Sequence, residues 1–149
     1  MAQTYFGSAL RSGSGTLTDT TDGGFVVLMQ TSTVTTAAAG TATSTSVVIP
    51  SGSQIIDILI DQVQNEVVGA GTATAINATV GTAAAGTQYV SATDVIGGGR
   101  AALTFTAAQL AAMADVGSNT SVFLTVDPDG TIVTTQGIYR LTVVYAQKG

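Results

Sequence analysis

The stretch Gln54-Ile55-Ile56-Asp57-Ile58-Leu59-Ile60-Asp61-Gln62 carries isoleucine at 56, 58 and 60, with Asp57 and Asp61 on the alternate positions. Side chains of a strand point alternately to its two faces, whereas a helix repeats about every 3.6 residues. The pattern therefore predicts a half-buried strand over 54–62. The same period recurs outward from it. Tyr139, Leu141, Val143 and Tyr145 make one apolar stripe within Ile138–Ala146. Phe25–Thr33 and Ser46–Ile49 read as strands on the other side, the second stopped by Pro50-Ser51-Gly52. Thr72–Val80, Thr87–Ala92, Ala101–Phe105, Ser121–Asp127 and Thr131–Thr135 complete the candidates.

One helix interrupts the series. Thr106-Ala-Ala-Gln109 has the spacing of a capping box, in which the two side chains satisfy each other's free backbone amides. Ala107, Leu110, Ala111 and Ala114 follow at helical spacing, with Met113 beside Leu110 and Gly117 as the stop. Short strands, Gly-rich turns and one small helix over 106–115 predict an all-β, jelly-roll-like β-sandwich. The domain is expected over 24–149, behind an N-terminal arm of residues 1–23.

Composition narrows the function. The 149 residues include no histidine, cysteine or tryptophan, and four basic against nine acidic side chains. Ser-His-Asp and Cys-His mechanisms are impossible within such a chain. A typical domain is about 25% charged, and this one is 9%. With a mean hydropathy of +0.44, so little charge predicts a surface partly hidden against other subunits, that is, a homo-oligomer or a part of an assembly. A net charge of −5 disfavours nucleic acid as a partner, because phosphate binding needs clustered Lys and Arg. Residues 24–56 are uncharged, but Thr, Ser and Gly interrupt them, so no membrane span is expected. Met-Ala-Gln-Thr-Tyr-Phe lacks the basic and apolar regions of a signal peptide, which predicts synthesis and retention in a cytoplasm.

The arm differs from the rest. Tyr5, Phe6 and Leu10 are apolar and Arg11 follows them, ahead of Ser12-Gly13-Ser14-Gly15 and Asp22-Gly23-Gly24. These side chains either tuck back onto the domain's own sheet or dock on a neighbour. Tyr5, Phe6, Leu10 and Arg11 are the candidate docking residues.

The motifs that could carry chemistry read as structure. Asp127-Pro-Asp129-Gly130 resembles the start of a calcium loop, but the twelfth position is Ile138 where an EF-hand needs Glu. Pro second and Gly fourth predict a tight turn instead. Asp57 and Asp61 lie roughly 13 Å apart along a strand, beyond the roughly 5 to 9.5 Å of glycosidase carboxylate pairs, and are expected on a solvated outer face. Gly97-Gly98-Gly99-Arg100 lacks the spacing and lysine of a phosphate loop and reads as a flexible connection. No catalytic residue, cofactor or metal is expected. A glycan site would need aromatic faces, and the four Tyr and four Phe fall mostly within strand patterns.

Four segments carry a resemblance. Ile49-Pro50-Ser51-Gly52-Ser53-Gln54-Ile55-Ile56-Asp57, Tyr89-Val-Ser-Ala-Thr93, Thr106-Ala-Ala-Gln-Leu110 and the closing Leu141-Thr-Val-Val-Tyr145-Ala-Gln are similar to segments of small virion proteins of tailed bacteriophages. The likeness covers about residues 24–147 and rests on packing motifs. These are head decoration, cement or head-fibre proteins. The resemblance implies a jelly-roll-like sandwich, commonly trimeric, bound to the major capsid protein on the outside of the shell. It implies a non-enzymatic role in stabilising that shell, with the arm as a docking element. A receptor- or glycan-binding module of a head or tail fibre is the alternative, and a bacterial surface subunit a third reading.

Overall fold

The computed structural model describes residues 25–148. Their elements, in order, are β1 (Phe25–Thr35), β2 (Thr43–Ile49), β3 (Ser53–Gln64), β4 (Ile76–Gly81), β5 (Val90–Asp94), α1 (Ala107–Ala114), β6 (Thr120–Pro128) and β7 (Ile138–Lys148). All pairings between these strands are antiparallel. One sheet has the order β1-β7-β3 and the other β2-β6-β4-β5. Residues 99–101 lie along the outer edge of β3: the Gln62 amide donates to the Gly99 carbonyl at 2.8 Å, and the Ala101 amide to that of Ile60 at 2.9 Å. With that segment as a fourth edge, the two sheets have the four-on-four order of a jelly roll. The fold is an all-β sandwich, as the strand pattern predicts.

The core lies between the sheets. Tyr139, Leu141 and Val143 of β7 are fully buried, as are Val122, Leu124 and Val126 of β6. Ile58 and Ile60 of β3 and Ile76 and Val80 of β4 flank them. Each buried aliphatic side chain of this size contributes about 1.5–3 kcal/mol through its removal from water. The stripe expected on β7 is thus the centre of the sandwich.

The stripe expected on β3 is corrected by one residue. Pairing with β7 steps from Ile55↔Tyr145 to Asp57↔Val144, leaving Ile56 without an opposite residue. This β-bulge makes two residues oppose one and resets the alternation. Ile55, Ile58 and Ile60 therefore face the core at 1–2% exposure, while Ile56 is 48% exposed.

The capping box forms as expected. The Gln109 amide donates to the Thr106 hydroxyl at 3.3 Å, and the Thr106 amide to the Gln109 side-chain carbonyl at 2.8 Å. The buried face differs from expectation, because Gln109 and Met113 point inward and Leu110 is 54% exposed. Gln109 is drawn in by polar partners: its side-chain amide donates to the Ser91 hydroxyl at 3.2 Å. That bond joins the helix to the β5 side of one sheet, while the Val116 amide donates to the Ser53 carbonyl at the start of β3 in the other.

Three expected strands are shorter or absent, and a fourth, Thr87–Ala92, is shifted to β5 at Val90–Asp94. Ala101–Phe105 keeps its alternation, with Ala101, Leu103 and Phe105 packed on the core, but pairs with β3 only at its first residues. Thr131–Thr135 makes a single bridge, Val67↔Thr135, in place of a ladder. Residues 72–75 precede β4, where the Asp129 carboxylate replaces a strand partner by accepting from the Thr74 and Ala75 amides at 2.7 and 3.0 Å.

Candidate functional site

Tyr5, Phe6, Leu10 and Arg11 lie outside the described residues, so the site is built from the surface beside Phe25, where the described residues start. That surface is the outer face of the three-stranded sheet. Phe25 opens β1 opposite Lys148, and the register then places Val27 opposite Ala146, Met29 opposite Val144 and Thr31 opposite Thr142. On the other side of β7, Asp57 stands opposite Val144 and Leu59 opposite Thr142. Val27 and Met29 are 61% and 69% exposed. With bulged Ile56, and with Val144 and Leu59 half-covered, they make an apolar area across all three strands.

The first residues of β1 explain why this face is apolar. Phe25-Val26-Val27-Leu28-Met29 has no polar position on either side. Leu28 packs against the core, and the odd positions then present Val27 and Met29 to the outside. A strand apolar on both faces is the pattern of one covered on both faces. That signal was available in the sequence and is the one a period-2 reading of a single face passes over.

A charged cluster closes the far end of the same face. Asp61 accepts from Arg100 Nε at 2.8 Å and from Arg140 at 3.1 Å. Arg140 is its neighbour across the β3–β7 ladder, and Arg100 comes from the segment paired on the edge of β3. The Arg100 hydrogen bond holds the Asp61 carboxyl below the usual carboxylate range, with Arg140 adding to it and partial burial opposing. The expectation of two solvated acids is therefore corrected at Asp61, which is bound between two guanidinium groups. Asp57 is half-buried, and its Oδ1 accepts from the Ile58 amide at 2.8 Å. Gly97, Gly98 and Gly99 all have positive φ, and Gly99 serves the edge pairing that brings Arg100 to Asp61.

The remaining motif residues are structural. Asp129 accepts from the Thr74 hydroxyl at 2.5 Å as well as from two backbone amides, and these bonds keep its carboxyl ionised below the ordinary range. It ties the end of β6 to the approach to β4, with β6 running straight through Asp127 and Pro128. The Tyr139 hydroxyl donates to Glu66 at 2.9 Å and accepts from the Gln62 side-chain amide at 3.0 Å. Burial first, and Glu66 second, push Tyr139 well above the ordinary tyrosine value. Tyr89, Tyr139 and Tyr145 are buried, and Phe105 and Phe123 are half-covered. The three tyrosines are thus withdrawn from any sugar-stacking surface. Among the described residues no group of three or more acidic side chains could hold a metal ion, and no helix is long and apolar enough to cross a membrane. What this arrangement can do is adhere: it offers apolar area with a charged end.

The sequence matches no protein-family model and no curated protein. Among solved structures, a chain of the cyanophage Pam1 capsid asymmetric unit superposes on 98% of this chain and 98% of its own length, with a TM-score of 0.59 and 20% sequence identity. At that identity the likeness is one of fold.

Proposed function

We propose that this chain is a non-enzymatic structural protein of a phage virion, bound to the outside of the assembled capsid as a decoration or cement protein. The observation that carries the reading is the fold shared, end to end, with a chain of a phage capsid asymmetric unit. The composition supports it, since a chain without histidine or cysteine and with 9% charged residues is made for contact. The major capsid protein is its proposed partner, with further copies of itself in a homo-oligomer, as a trimer. The arm of residues 1–23, with Tyr5, Phe6, Leu10 and Arg11, is the proposed docking element that reaches a neighbouring subunit.

The mechanism is linkage. A molecule that binds assembled subunits better than separated ones stabilises the assembly, by about 2.7 kcal/mol per site when present at a hundred times its Kd. A surface poor in charge limits the desolvation cost of burying it between subunits. The glycan-binding alternative loses support from the burial of Tyr89, Tyr139 and Tyr145. Immunogold electron microscopy of purified particles tests the proposal. Gold spread over the heads is expected. Absence from the particles refutes a virion role, and gold confined to tails or fibre tips refutes decoration.

A further inference from the structure

The apolar outer face of β1-β7-β3 lacks a cover among the described residues, and the chain itself supplies a segment of matching chemistry. Residues 1–24 precede β1 and join it at Phe25, two residues from Val27 and four from Met29. Within that segment Tyr5, Phe6 and Leu10 are large apolar side chains close together, and Arg11 follows Leu10 at once. The face has a charge to meet it. Arg100 and Arg140 both pair with Asp61, and Asp57, which lies in the apolar area opposite Val144, acts on Arg100 only through space.

Reach allows a neighbour as the receiver. Continued backwards past Phe25, β1 leads off the end of its sheet, where β7 also ends at Lys148. Leu10 lies fifteen residues before Phe25, a distance of up to about 50 Å when extended. The strands of the face, at 11 or 12 residues, are about 40 Å long or less. A segment of that reach exceeds the length of its own face, far enough for another copy to receive it. Copies repeated at fixed spacing hold each such arm near its target at a high effective concentration, so a modest contact suffices.

We propose that the outer face of β1-β7-β3 in one copy receives the Tyr5–Arg11 segment of an adjacent copy, with Tyr5, Phe6 and Leu10 covering Val27, Met29 and Val144 and Arg11 pairing with Asp57. This deepens the docking-arm reading by naming the neighbour. It rests on the arm being a docking element and not on the shell, so the purified full-length protein tests it without virions.

The absence of cysteine makes the test clean. Full-length Leu10→Cys and Met29→Cys single variants are mixed in equal amounts, oxidised with diamide and digested for mass spectrometry. A Leu10–Met29 cross-link between chains is expected, at least tenfold above that formed with a Leu10→Cys and Val133→Cys mixture, whose second site is exposed outside this face. No enrichment overturns the proposal. So does a Leu10→Cys/Met29→Cys double variant that closes its disulfide only within one chain, since the arm then covers its own sheet. Light scattering gives a second readout. Met29→Glu, at an exposed position, is expected to weaken self-association at least tenfold with an unchanged circular dichroism spectrum. An unchanged oligomer mass overturns the proposal as well.

Discussion

Ile55→Ala and Ile56→Ala differ by one position, yet the bulge in β3 assigns them opposite fates. Ile55 is 2% exposed and Ile56 48%. Replacing isoleucine by alanine removes three carbons, worth about 0.8 kcal/mol each when buried, or about 2.4 kcal/mol in all. At Ile55 the hole is enclosed between the sheets, and the cavity term brings the loss to about 3–4 kcal/mol, within the range of about 2–5 known for such changes. At Ile56 about half of the transfer applies and water fills the space, so the loss is about 1 kcal/mol. Urea unfolding separates the two. With a slope of about 2 kcal/mol per molar, Ile55→Ala lowers the midpoint by about 1.5–2 M and Ile56→Ala by about 0.5 M. Protein concentration is held constant, because self-association moves the midpoint. Equal losses, or a larger one at Ile56, would mean that the unbroken alternation of 56, 58 and 60 describes β3 and that the bulge does not exist.

Three further outcomes follow from the geometry. Thr106→Ala removes the helix cap and is expected to cost about 1 kcal/mol, read as a lower thermal midpoint, whereas Thr104→Ala beside it changes little; equal effects would discount the capping box. Gly40→Ala sets a side chain at φ +71 against the Gly130 carbonyl, and a loss of at least about 1 kcal/mol is expected in urea; a neutral result would refute the close approach of these loops. Asp61→Asn removes a carboxyl held below its ordinary 3.8 by Arg100 and Arg140. Such a contribution is complete above the unfolded value and fades as pH falls through the folded one. The stability gap between wild type and variant should therefore be present at neutral pH and close as pH falls below the ordinary carboxylate range, and a gap constant with pH would contradict the ion pairs.

Where one rule governs an element, the sequence is readable. The β7 stripe works because a central strand has one choice of inward face, and Tyr139, Leu141 and Val143 take it. The Thr106–Gln109 cap works because both bonds lie within four residues. Beyond such local rules, tertiary context decides. The bulge at Ile56 depends on how β3 meets β7, which no property of residues 54–62 announces. Gln109 is buried because Ser91, far away in the chain, offers a partner. Leu110 lost its expected place to that bond. The apolar face was half legible: Phe25 to Met29 is apolar throughout, but which side needs a further cover emerges only from the register with Ala146 and Val144. The proposed docking residues Tyr5, Phe6, Leu10 and Arg11 stand outside the described part of the molecule and are the subject of the cross-linking test.

The rims of the two sheets bear on how such a molecule behaves in a crowded array. A bare strand rim is a template on which other chains grow into fibres. Here the rims are blocked in places: the Gln30 side-chain amide donates to the Val48 carbonyl at 2.7 Å and the Thr43 hydroxyl to the Thr35 carbonyl at 2.8 Å. On the opposite side the Gly99–Ala101 strap takes up the rim of β3, and β5 is five residues long with an irregular register against β4. At these points a second chain meets side chains before it meets free backbone, which disfavours edge-to-edge growth into fibres.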